Sequence, residues 1–278
     1  MDEHALFLAP VQYRAILARV LRFLRRRPDR RRRRVRLSVS AILRLTLLAL
    51  RHNLTQRLLA ALFRIGQSTA CRAIAWMRGL LAEVLAPEIA RAGDGAAALE
   101  RLLAEAGGGP AIVLVDGTLV PVADRSWDPL NYSGKHRRKG RSIQVLADAA
   151  GRLLHVGLPH AGRTHDARAL AESGLLAALR ADERLLTHGD RGYRGLGLIT
   201  PHVRPPGGEL TLEQRVENRE ISAIRNAVER AIAHLKVLQV LRTGIRTRFR
   251  DPERVISEVI AVCVGLAFYR QEASFRAA

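Results

Sequence analysis

Cysteine is nearly absent from this 278-residue chain. Cys71 and Cys263 are far apart and have no ligand-spaced companions, which excludes a disulfide framework and a Cys-based zinc site and leaves two buried, reduced thiols as the expectation. Long apolar runs are also missing. The best candidate, residues 259–268, is half the length needed to span a bilayer and reads as a core helix, so no membrane partner is expected. The amino terminus lacks a basic stretch followed by an apolar run and a cleavage site, which points to the cytoplasm. No internal repeat is visible. Lysine is scarce, at Lys135, Lys139 and Lys236 only.

What is present is arginine. Lys plus Arg outnumber Asp plus Glu by 46 to 26, for a formal charge of +20. A GC-rich genome would also produce an Ala- and Arg-rich composition, but the net charge still calls for a polyanionic partner. Arginine grips phosphate bidentately, which suits DNA. Eight arginines lie between Arg25 and Arg34, a like-charged block that reads as a DNA arm or a solvated loop. With 48% apolar residues the chain can still bury a proper core.

Two regions differ in periodicity. Residues 1–108 read as helical and end at Gly107-Gly108-Gly109-Pro110, where glycine and proline stop a helix. Within them, residues 54–78 read as two helices joined at Arg64-Ile65-Gly66, with Gly66 supplying a left-handed backbone position. Such a pair is common in helical domains. In a basic chain it also fits a helix-turn-helix, with Gln67, Ser68 and Thr69 opening the helix that meets base edges and Arg72 and Arg78 reaching phosphates. Residues 109–278 turn to short strand-like runs at 111–115, 142–147, 153–158 and 185–188, with helices expected at 166–179, 211–241 and 252–269. This is a mixed α/β domain with helices flanking a sheet.

Three acids carry the candidate chemistry. Asp116 would close the first strand and Asp190 follows the fourth, so both point from one sheet edge; Glu229 would come from the long helix. On that helix Arg225, Glu229 and Lys236 fall within roughly 40° of one another, opposite a packing face. Carboxylates around two Mg²⁺ ions, or Mn²⁺ in their place, can serve an in-line phosphoryl transfer, with Arg225 and Lys236 on DNA phosphates. Each acid alone is ordinary, since Asp-Gly is a common turn and Glu on a helix is usually solvated. Asp166 is a further candidate ligand, read here first as a helix cap or support. His165 and His188 are read as positioning neighbours. The basic stretch from Trp127 to Arg141, including Lys135, Arg137 and Arg138, is a candidate DNA contact or a surface hairpin.

Together these residues resemble the DDE superfamily of insertion-sequence transposases, in its Harbinger-like branch. The resemblance is carried by Asp116-Gly-Thr118, Tyr132-Ser-Gly-Lys135, Gly162-Arg-Thr-His-Asp166, Asp190-Arg-Gly-Tyr193 and the helix with Arg225, Glu229 and Lys236. It implies an RNase H-like catalytic domain preceded by an all-α helix-turn-helix domain. It also implies a divalent metal on Asp116, Asp190 and Glu229, and DNA hydrolysis followed by strand transfer at inverted repeats, into a target, by a homo-oligomer on double-stranded DNA. Ser222 stands where relatives often carry Tyr, three residues before Arg225. A non-catalytic DNA-binding regulator and a metal-dependent nuclease without strand transfer are the alternatives.

Overall fold

A computed structural model describes residues 6–30, 37–123, 129–246 and 251–275. The helices of the first region start where the sequence offers caps. Pro10 occupies the first turn of α1 (Pro10–Arg26), and the Ser38 and Thr55 hydroxyls accept backbone N–H groups at the starts of α2 (Val39–His52) and α3 (Gln56–Leu62). α4 (Gln67–Val84), α5 (Ala86–Gly93) and α6 (Gly95–Glu105) follow.

The second region opens with β1 (Ala111–Ala123), then β2 (Tyr132–Ser133), β3 (Arg138–Asp148), β4 (Leu153–Val156) and β5 (His160–Ala161). Helices α7 (Asp166–Glu172) and α8 (Leu175–Arg180) lead to β6 (Leu185–His188). The sheet runs β2-β3-β1-β6, with β4 and β5 also on β3. β3 runs antiparallel to β1, and β6 runs parallel to it. The chain ends in α9 (Leu212–Leu235), α10 (Gln239–Thr243) and α11 (Pro252–Phe275). The expected fold class is thus observed: a helical region followed by a mixed sheet flanked by helices.

Three differences from the expected extents bear on the site. β1 does not stop at Asp116, because antiparallel β3 continues to pair with it as far as Pro121↔Gly140. The helix expected over 166–179 is two, broken at Gly174 with φ of 73°, outside the right-handed helical region. The helix expected over 211–241 ends at Leu235, so Lys236 lies in the turn beyond it and leaves the helical face assigned to it with Arg225 and Glu229.

The chain forms two compact units, residues 1–89 with 235–278, and residues 90–234. In the first, α4 is central, touching α1, α2, α3 and α11 and burying Ala70, Ala73, Met77 and Leu81. α11 buries residues on every side, including the apolar run read as a core helix, and both cysteines are buried and free. In the second, Leu99 and Leu102 of α6 join Val113 and Val115 of β1, Leu146 of β3, Leu170 of α7 and Leu175 of α8 in one apolar cluster. The Gly107–Pro110 segment is therefore a turn between α6 and β1 inside this unit. Among the described residues, no helix is long and apolar enough to cross a membrane.

Candidate active site

The acidic site grows out of strand register. Leu114 of β1 pairs in parallel with His188 of β6, so Asp116 and Asp190 each lie two residues past a matched pair on adjacent strands. β6 ends there, and Asp116 and Gly117 are the two half-exposed positions in a β1 stretch otherwise buried from Val113 to Pro121. The Asp190 carboxylate accepts from the Gly192 backbone N–H at 2.7 Å, which shapes the 3-10 turn Arg191–Tyr193. The Asp116 carboxylate accepts from the Gly117 N–H at 2.8 Å.

Charge is concentrated here. Burial pushes the Asp116 carboxyl up to about 6; the Arg225 guanidinium, 3.9 Å away on α9, opposes this, while the neighbouring Asp190 and Asp166 add to it. Glu229 lies one turn past Arg225 on α9, on the same face and exposed.

Asp166 is not the cap of α7. His165 occupies the N-cap position and makes no side-chain cap hydrogen bond, while Asp166 is the first helical residue. Its carboxylate instead lies over β1: a Cβ on residue 117 would stand 2.0 Å from Asp166 Oδ1, so any side chain there would displace that carboxylate. The Gln144 amide donates to Asp166 Oδ1 at 3.4 Å, and the Lys135 ammonium lies 3.5 Å from Asp166 Oδ2 and 4.0 Å from Asp190 Oδ2. Lys135, expected among the DNA contacts, thus sits against the aspartates from the turn between β2 and β3; Arg137 in the same turn and Arg138 opening β3 are exposed. Trp127 of that basic stretch, like Arg31 to Arg34 of the arginine block, lies outside the described residues.

Sequence reading missed Gln144. It is buried on β3 at 1% exposure and accepts from the Tyr193 hydroxyl at 2.5 Å. Burial, followed by the charges of Asp166, Asp116 and Asp190, raises the Tyr193 phenol far above its ordinary range and keeps it a donor. A signal was available: Gln144 is the one amide within the apolar run Ile143 to Ala147. Gly189 admits the Tyr193 ring, which a Cβ there would meet at 3.0 Å. His188 is buried, its pKa lowered by that burial.

Carboxylate oxygens are the donors that Mg²⁺ and Mn²⁺ prefer, so the donor type fits a hard divalent cation. Among the described residues no three His, Cys, Asp or Glu side chains stand close enough to make a finished ligand set.

In the helical unit, Arg64 rather than Gly66 takes the left-handed position, with φ of 51°, and Gly66 is the extended N-cap of α4. Gln67 and Ser68 are exposed on its first turn, followed by half-exposed Thr69 and exposed Arg72. Arg78, expected to reach a phosphate, instead forms a 2.9 Å ion pair with Glu258 of α11, with side chains 14% and 17% exposed.

Comparison with known proteins agrees with this layout. Residues 115–267 match the family described as DDE superfamily endonuclease, and residues 36–87 match the helix-turn-helix of DDE superfamily endonuclease. Over 194 residues the chain is 35% identical to a protein of Streptomyces albus G named as a transposase for insertion sequence element IS112, covering 69% of this chain and 66% of that relative. Over 94 residues it is 35% identical to a protein of Microchaete diplosiphon named as a transposase for insertion sequence element IS702, covering 32% of this chain and 33% of the relative. No solved structure matches it significantly. With its sheet domain and its helix-turn-helix both matched, the chain belongs to the DDE superfamily endonucleases.

Proposed function

We propose that the protein is the transposase of an insertion sequence, of the Harbinger-like branch, cutting DNA at the element's inverted repeats and joining the freed ends to a target. The observation that carries this is the placement of Asp116 and Asp190 two residues beyond the last register pair, Leu114 with His188, of the adjacent parallel strands β1 and β6, inside the stretch that matches the endonuclease family. Glu229, on the α9 face that brings Arg225 to Asp116, is the third acid of the proposed triad.

Asp116, Asp190 and Glu229 would hold Mg²⁺ or Mn²⁺, which supplies charge stabilisation and an acidified water for in-line phosphoryl transfer. The chain's own groups do the rest. Arg225 offsets the charge gathered around Asp116. Lys135, Arg137, Arg138 and Lys236 are proposed to hold backbone phosphates, and Gln67, Ser68, Thr69 and Arg72 to read the inverted repeat from the start of α4. In hydrolysis, water attacks phosphorus and the 3′ oxygen leaves with a proton. In strand transfer that 3′ hydroxyl attacks the target phosphodiester and the target's own 3′ oxygen leaves. Synapsis of two ends calls for a homo-oligomer on DNA, acting at the nucleoid.

The test is cleavage of labelled DNA carrying candidate inverted repeats with Mg²⁺, Mn²⁺ or EDTA, comparing wild type with Asp190→Ala. Metal-dependent cutting lost in the variant is expected. Specific binding without cutting by either protein would replace this reading with a non-catalytic regulator, and cutting without joining would make it a nuclease.

A further inference from the structure

Three sequence motifs stand outside the acid triad: Tyr132-Ser-Gly-Lys135, Gly162-Arg-Thr-His-Asp166 and the tyrosine that ends Asp190-Arg-Gly-Tyr193. The fold brings one residue of each together around Gln144. The Tyr193 hydroxyl lies 2.5 Å from Gln144 Oε1, Gln144 Nε2 lies 3.4 Å from Asp166 Oδ1, and the other Asp166 oxygen faces Lys135 Nζ at 3.5 Å. We propose that Tyr193, Gln144 and Asp166 are positioning residues for Lys135, holding its ammonium beside Asp190 to receive the phosphate of the strand being cut. This rests on the transposase reading above.

The hydrogen bonds run in one direction: the Tyr193 hydroxyl donates to the Gln144 carbonyl, and the Gln144 NH₂ donates to Asp166. Gln144 and Tyr193 are buried at 1% and 0% exposure, so the base of the relay is rigid. Lys135 needs such a base. Its side chain is 63% exposed on a hairpin turn, and an exposed lysine gains little from an ion pair because ordering its long stem costs entropy. Two carboxylates, one of them held from beneath, narrow its range to the edge of the reaction centre. A cavity of about 290 Å³, lined by Lys135 and Asp166 with Ser133, Arg163 and Thr164, gives a strand room to approach.

The same geometry argues against Asp166 as a metal ligand equivalent to Asp116. Successive side chains on a strand point to opposite faces, and Asp166 packs over Gly117, the neighbour of Asp116. Both of its oxygens already have partners, Gln144 and Lys135.

The experiment uses the full chain with Asp166→Asn, Gln144→Leu, Tyr193→Phe and Lys135→Met. It reads single-turnover cleavage at saturating DNA, the KM for DNA, and Mn²⁺ affinity of the DNA-free protein by titration. The expected result is a cleavage rate lowered about 10- to 100-fold in each variant, the size of effect that misplacing a reacting partner produces. KM for DNA and Mn²⁺ affinity stay roughly unchanged in the three relay variants. Asp166→Asn added to Lys135→Met costs nothing further, because both act through one group. Tyr193→Phe keeps ring and volume, so it decides the matter should Gln144→Leu fail to fold. Mn²⁺ affinity falling in Asp166→Asn as far as in Asp190→Ala would make Asp166 a ligand and overturn the relay, as would wild-type cleavage by Asp166→Asn and Tyr193→Phe. Wild-type protein that neither binds Mn²⁺ nor cuts would overturn the transposase reading, and the relay with it.

Discussion

Asp116 is a group the fold holds at a cost. Its folded pKa of about 6 lies above the ordinary aspartate value, so the folded chain binds this proton more tightly than the unfolded chain does. The sign follows: the stabilisation is fully present below pH about 4 and is lost as pH rises through about 6. At pH 7 the displacement from 3.8 to about 6 corresponds to on the order of 3 kcal/mol of destabilisation. In EDTA, Asp116→Asn is therefore expected to melt higher than wild type at pH 7 and at nearly the same temperature at pH 4. Equal melting temperatures at both values would show that the carboxyl is solvated as in a free chain. A cation that binds ionised Asp116 would relieve the same strain, so part of its binding energy is expected to reappear as thermal stability.

At the scale of elements, α4 divides its arginines by the helical period. Arg72 is exposed in the second turn, whereas Arg78, six residues on, turns to α11 and Glu258. The two alanine variants should therefore separate. Arg72→Ala is expected to weaken DNA binding and lower its salt slope by about one, with an unchanged melting temperature. Arg78→Ala should leave Glu258 largely buried without its partner and cost about 3 kcal/mol, with DNA affinity per folded molecule unaltered. A drop in salt slope for Arg78→Ala would return that residue to the DNA interface. The sequence showed the helix pair but not this division, because Glu258 is 180 residues away along the chain.

For the whole molecule the governing quantity is the net charge of +20. Binding that neutralises several phosphates releases their counterions, so affinity for non-specific duplex should fall about a thousandfold or more between 50 and 200 mM salt. An affinity that hardly changes over that range would mean that the charge serves something other than DNA. The organisation in space also belongs to this scale. The glycine- and proline-rich cluster at residues 107–110 is the strongest break in the sequence, yet α6 before it shares a core with β1 after it, and the segment from Leu235 onward joins the first helices instead. Glycine and proline mark where a helix must stop, and say nothing about which apolar faces meet.

Local chemistry wrote much of this protein directly into its sequence: the switch from helical to strand periodicity, the strand at Leu185–His188, and the helix pair on either side of Arg64-Ile65-Gly66. Those features depend on neighbours within a few residues, where propensity and capping act. Tertiary structure alone decided that Asp116 lies in mid-strand, that Asp166 packs over Gly117 instead of capping α7, and that Gln144 joins Tyr193 to Asp166. Each of these is a pairing across the sheet or between a helix and a strand, set by β-register and by the space a glycine leaves, and no spacing along the chain encodes it.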